Sequence, residues 1–191
     1  VIGKKNIIRE FVTIHRAVGE GNLTKVGDNN FIMANAHIAH NCKINNNIVI
    51  TNFAGLTGHV EIEDYSTISG LVAIHQFVRI GRLAMVGGAS KVVKDVPPYL
   101  LANGHPAQVY GLNFVGLRRH NIKNEKISIL KEAFRIIYKS GLTISKALQR
   151  LETLPQIEEI QHLINFIKQS KRGICRGSAK ISSQLLPATE I

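Results

Sequence analysis

The chain has 191 residues, 45% hydrophobic and 19% charged, and 24 Lys and Arg against 13 Asp and Glu give a formal net charge of +11. That size suits one large domain or a domain with an appendage, no apolar run is long enough to span a membrane, and two cysteines, Cys42 and Cys175, are too few for a disulfide framework. The cations are spread along the chain without a recognition helix, an RNA-binding signature or an aromatic stacking set. The charge therefore points to an acidic protein partner or a phosphate-bearing substrate, not to nucleic acid. Nothing resembles a signal peptide, and a reducing, cytoplasmic setting fits the cysteine usage.

Branched apolar residues recur at every sixth position from Ile2 to Val92, through Ile8, Ile14, Val26, Ile32, Ile38, Ile44, Ile50, Leu56, Ile62, Ile68, Ile74, Ile80 and Val86. A helix repeats near 3.6 and a plain strand at two, so a period of six indicates a hexapeptide β-helix over residues 1–99. A second column, four residues on, is small or β-branched and includes Ala36, Cys42, Ala54, Val60 and Ala84. The series fails at Glu20, between Gly19 and Gly21, which predicts a loop leaving the wall between Ile14 and Val26. Three hexads make one triangular coil, and successive coils rise by about 4.8 Å. The first residues already lie inside the repeat, without an initiating Met or a cap, so further coils are expected upstream.

Asp95-Val96-Pro97-Pro98-Tyr99 ends the ladder, because proline cannot donate to it. Residues 100–120, with Gly104, Pro106, Gly111 and Gly116, read as a linker. Helical periodicity follows in a small domain at 121–173: Ile127, Leu130, Phe134 and Ile137, then a segment capped at Thr143 or Ser145, then one opened by Pro155. Residues 174–191 are expected to be a disordered tail.

Wrapping the chain every three hexads gathers histidines. His37, His40, His59 and His75 fall in one window of the perimeter on three successive coils, and His40, Gly58 and Gln76 share a column. Gly58 leaves space in front of His40. An imidazole there suits removal of a hydroxyl proton, and the Gly58 amide suits an oxyanion. Two other readings of the same scaffold are a zinc lyase like the hexapeptide carbonic anhydrases and a non-catalytic trimeric fragment.

Thr13-Ile14-His15-Arg16, Asn35-Ala36-His37-Ile38-Ala39-His40-Asn41-Cys42, Leu56-Thr57-Gly58-His59-Val60, Ala73-Ile74-His75-Gln76-Phe77 and Asn113 with Gly116-Leu117-Arg118-Arg119 together resemble the UDP-N-acetylglucosamine O-acyltransferases of lipid A biosynthesis. The resemblance implies a left-handed parallel β-helix followed by a small C-terminal α-helical domain, in a homotrimer. It implies transfer of an (R)-3-hydroxyacyl group from acyl carrier protein to the 3-hydroxyl of UDP-N-acetylglucosamine, with no cofactor, metal or stable membrane insertion. His40 matches the catalytic base, Gly58 the oxyanion amide and Asn41 the residue orienting the base. His37, His59, His75, Gln76, Asn113, Arg119 and His15 match substrate-binding positions, and Gly88 the position that gauges acyl length. Arg79, Arg82, Lys91 and Lys94 are candidate contacts for the acidic carrier protein.

Three departures stand out. Asn41 replaces the Asp of many members, and Val115 and His120 replace a Glu and an Arg found in some. An Asp and a Lys that members carry just before the matching start of this chain lie outside it.

Overall fold

Each hexad folds as a two-residue strand and a corner, so that its second strand residue can be covered by the coil interior. The computed structural model describes residues 1–179. Phe31–Ile32, His37–Ile38 and Lys43–Ile44 form the three sides of one coil, and Ile32, Ile38 and Ile44 are at most 1% exposed. Parallel pairing stacks such pairs into three walls. The first runs through Ile7–Ile8, Phe31–Ile32, Val49–Ile50, Thr67–Ile68 and Met85–Val86. The second runs through Thr13–Ile14, His37–Ile38, Gly55–Leu56, Ala73–Ile74 and Lys91–Val92. The third runs through Lys25–Val26, Lys43–Ile44, Glu61–Ile62 and Arg79–Ile80. The result is a left-handed parallel β-helix.

Turning the chain within six residues requires left-handed backbone at one position of every corner. Asn35, Asn41, Asn47, Phe53, His59, Tyr65, Leu71, Phe77, Leu83 and Ala89 all have φ between 55° and 64°. Asn tolerates that region, whereas Phe, Tyr and Leu are strained in it. Coil-to-coil hydrogen bonds offset the cost: the amides of His59, Tyr65 and Phe77 donate to the carbonyls of His40, Asn46 and Gly58 at 3.1–3.2 Å. The hexad pattern fixes where the corners fall but not this choice of φ.

The expected loop is present, and it changes the arithmetic of the first coil. His37 pairs with Gly55, three hexads on, but Thr13 pairs with His37, four hexads on. Residues 15–24 hold the extra hexad, with Gly19 at φ 91° and Gly21 at φ 72°.

Residues 100–112 differ from the expected linker. Leu100–Gly104 continues the first wall beside Met85–Val86, and Ala107–Leu112 turns back antiparallel on it. Their alternation of buried and part-exposed residues, with Ala102 and Val109 fully buried, is that of a strand pair. The helices are α1 (Phe114–Arg119), α2 (Asn124–Tyr138), α3 (Ile144–Leu151) and α4 (Glu158–Lys168). Helical structure thus starts before residue 121, and Thr143 caps α3 as expected.

The tail expectation also changes for residues 174–179. Ile174 bridges to Asp95, Gly177 bridges to Val109, and Cys175 is 2% exposed. These residues are held by backbone pairing, which a composition rich in Ser, Lys and Gly does not reveal. Residues 180–191 lie outside the described residues.

The helices rest on the last coils through polar groups. His162 Nε2 donates to the Glu63 carboxylate at 2.9 Å, while its Nδ1 lies 2.9 Å from the Tyr99 hydroxyl. Arg82 pairs with Glu158 at 3.0 Å, and the Arg79 guanidinium lies over the Phe166 ring at 4.3 Å and 3.4 Å from Glu63.

Ile50 is fully buried between coils, where the neighbouring strands cannot collapse without breaking their ladders. Ile50→Ala is expected to cost about 2–5 kcal/mol, read as a lower midpoint in chemical denaturation.

Candidate active site

The corner between the second and third walls carries His40-Asn41, Gly58-His59 and Gln76-Phe77 on successive coils. A β-carbon added to Gly58 would lie 2.6 Å from His40 Cε1 and 2.7 Å from its Nε2. The imidazole therefore occupies the space that any other residue at position 58 would fill. His40 Nδ1 lies 2.8 Å from Asn41 Oδ1. The His59 ring meets His40 edge-on at 5.3 Å and stacks on Phe77 at 4.6 Å. His75 and Gln76 are exposed on the next coil, with His75 Nδ1 3.3 Å from the Gln76 carbonyl oxygen.

The longer first coil brings a fifth histidine to this wall. His15 lies one coil before Ala39, and its ring meets His37 edge-on at 4.7 Å. Thr13 Oγ1 lies 2.7 Å from His37 Nδ1. Burial first, and the His15 ring second, hold His37 below the usual imidazole range. A uniform three-hexad wrap misses both Thr13 and His15. The failed hexad at Glu20 is the signal that the first coil needs a longer wrap.

The remaining candidates lie on the other two corners. Gly88 stands with Ala34, Asn52 and Gly70 between the first and second walls, where an added β-carbon would touch only Gly70 O at 3.4 Å and Ser69 Cβ at 4.0 Å. Asn113 and Arg119 lie by the corner between the third and first walls. Asn113 is 9% exposed and its amide is engaged at both ends: Nδ2 donates to Leu83 O at 2.9 Å, and Oδ1 accepts from Gly116 N at 3.0 Å as the cap of α1. These two bonds tie the start of α1 to the coil. Arg119 is exposed at the end of that helix, and His120 packs against Tyr65 at 4.5 Å.

Of the four cations expected to meet an acidic partner, Arg79 and Arg82 are engaged within the chain. Arg79 sits between Glu61 and Glu63, and Arg82 on Glu158, where they join the helices to the coils. Lys91 is exposed on the second wall. Among the described residues no three His, Cys, Asp or Glu side chains converge as a metal site, and no helix is long and apolar enough to cross a membrane.

A family model described as UDP N-acetylglucosamine O-acyltransferase, domain 2, matches residues 95–175, and one for the bacterial transferase hexapeptide (six repeats) matches residues 23–58. The acyl-[acyl-carrier-protein]–UDP-N-acetylglucosamine O-acyltransferase of Alkalilimnicola ehrlichii is 46% identical over 177 residues, 92% of this chain and 69% of that protein. The chain belongs to the UDP-N-acetylglucosamine O-acyltransferase family.

The O-acyltransferase of Gloeothece citriformis is 48% identical over 88% of this chain, and the chain spans 61% of that relative's length. The UDP-N-acetylglucosamine acyltransferase structures of Francisella novicida and Campylobacter jejuni superpose with TM-scores of 0.89 and 0.87, at 36% and 40% identity. They cover 96% and 93% of this chain, which in turn covers 70% of each. Within this family fold, the His40–Gly58 packing and the His40–Asn41 hydrogen bond lie together on one corner.

Gly58→Ala is expected to displace the His40 ring without unfolding the coil, because the added methyl overlaps the imidazole and not the backbone. The ring resonances of His40 and His59 should move while thermal unfolding stays close to wild type. His15→Gln should raise the His37 titration midpoint part of the way toward about 6.5, since burial remains when the like charge is removed. Because His37 is held low, its neutral ring contributes stability that is complete above about pH 6.5 and is lost as the pH falls through its lowered value. Proton NMR titration reads the midpoint.

Proposed function

We propose that this protein transfers an (R)-3-hydroxyacyl group from acyl carrier protein to the 3-hydroxyl of UDP-N-acetylglucosamine, the opening step of lipid A biosynthesis. The observation that carries this reading is the His40 imidazole lying against Gly58, with Nδ1 tied to Asn41. His40 Nε2 takes the proton of the sugar hydroxyl as its oxygen attacks the thioester carbonyl. The new C–O bond forms, the carbonyl oxygen becomes an oxyanion, and the buried Gly58 amide, which donates to no acceptor among the described residues, stabilises it. Collapse breaks the C–S bond, and protonated His40 returns its proton to the departing carrier thiolate. His37, His59, His75, Gln76 and His15 line the same wall and hold the sugar and the pantetheine arm. Arg119 forms a fork suited to the diphosphate, and Gly88 leaves space for the acyl chain.

These parts sit on three corners of one prism, so a single chain does not bring them together. A homotrimer would place one subunit's corner against another's wall. The outward column of the first wall, Ile7, Phe31, Val49, Thr67 and Met85, is mostly apolar, and Phe53 and Leu71 on its edge are 58% and 66% exposed. By contrast, the third wall presents Lys25, Lys43, Glu61 and Arg79. The first wall is therefore the one suited to burial between subunits.

His40→Ala is expected to lower transfer by about 10²–10⁴-fold with the oligomer intact, measured with a 3-hydroxyacyl carrier protein and UDP-N-acetylglucosamine. Wild-type rates in that variant would remove His40 from the role of base.

A further inference from the structure

The excursion over residues 15–24 reaches back to His40 through its main chain. Val18 N–H donates to Asn41 Oδ1 at 3.0 Å, and Asn41 Nδ2 donates to the Val18 carbonyl at 3.1 Å. At the other end of the excursion, Thr24 Oγ1 accepts from the Asn41 backbone N–H at 2.9 Å. Turning the amide over would set Nδ2 against the Val18 N–H and Oδ1 against the Val18 carbonyl. Two donors or two acceptors facing one another are costly at a residue only 9% exposed. One amide orientation is therefore selected.

That orientation decides the state of the neighbouring ring. His40 Nδ1 lies 2.8 Å from the same Oδ1, and an amide oxygen can only accept. Nδ1 must carry the hydrogen, which leaves the lone pair on Nε2, the atom packed against Gly58. A turned amide would present its N–H to Nδ1 and draw the opposite tautomer, with Nε2 protonated and unable to accept.

We propose that the excursion is a positioning element for His40: the Val18 main chain sets the Asn41 amide, and the amide sets the tautomer that leaves Nε2 free. This assignment deepens the reading of His40 as base and rests on it. The dependence belongs to asparagine in particular. Both oxygens of a carboxylate accept, so an Asp at this position would hold Nδ1–H without being sorted by Val18. It could not donate to the Val18 carbonyl, and the excursion would lose that tie. An amide needs the loop to choose its face, whereas a carboxylate does not.

The test reads the ring nitrogens of His40 by ¹⁵N NMR in the histidine-labelled full chain, at a pH where the imidazole is neutral, with His40→Gln for assignment. The wild type should show Nδ1–H, a measurement that needs no variant to fold. Val18→Pro removes the N–H on a stretch where Val18 is 65% exposed. Because the Val18 carbonyl still accepts from Asn41 Nδ2, it should move the His40 shifts part of the way toward Nε2–H and lower kcat by about two- to tenfold with little change in KM, the size expected from one hydrogen bond. In an Asn41→Asp background the same Val18→Pro change should leave both the tautomer and the rate where Asn41→Asp alone sets them. Nε2–H in the wild type, or an equal response to Val18→Pro in the two backgrounds, overturns the assignment. If His40→Ala retains full transfer while Val18→Pro still moves the tautomer, the base reading fails and the link from loop to ring stands.

Discussion

Everything placed on this chain depends on the hydrogen bonds between coils, because each side of the prism is only one hexad long. A two-residue strand has too few bonds of its own to be stable, and successive coils supply the rest. The bonds hold bulky residues such as Phe53, His59, Tyr65 and Phe77 in left-handed backbone that none would adopt alone. They also fix the vertical spacing of the site at one strand separation per coil. His40 can pack on Gly58 because Gly55 pairs with His37 and the next corner is thereby set directly beneath.

The excursion in the first coil bears directly on the histidine wall. The extra hexad in the first coil carries main-chain groups to Asn41, and it also brings His15 alongside His37. A regular first coil would end too soon to do either. The neutral Asn41, which replaces the Asp of many members, is an amide with both ends engaged. The physical difference is directional: an amide must be oriented, and the protein contains a segment that orients it.

The charge is distributed with a similar division of labour. Arg79 and Arg82 were candidate contacts for an acidic carrier protein. Instead they join the helical layer to the coils, together with Glu63, His162 and Tyr99. Arg119, by contrast, stays exposed at the end of α1, a helix aimed by the buried Asn113. A sequence shows that a residue is cationic, but only packing shows whether its charge faces inward.

The period of six, read alone, determined the fold class, the coil length, the site of the excursion and the column His40–Gly58–Gln76, because a strict repeat converts sequence distance into position. The helices after residue 120 were legible for the same reason, from their helical periodicity. Residues 100–112 and 174–179 were not, since they leave the hexad register and are ordered by pairing with distant strands. The placement of His15 and Thr13 beside His37, and of Val18 beside Asn41, was hidden by the excursion, which lengthens the first coil's register from three hexads to four. Only the tertiary structure could show that Asn41 is held at both ends, that Asn113 is a buried cap, and that His40, Gly88 and α1 stand on different corners. Each of these is set by contacts across coils, and such contacts leave no mark on neighbouring residues in the chain.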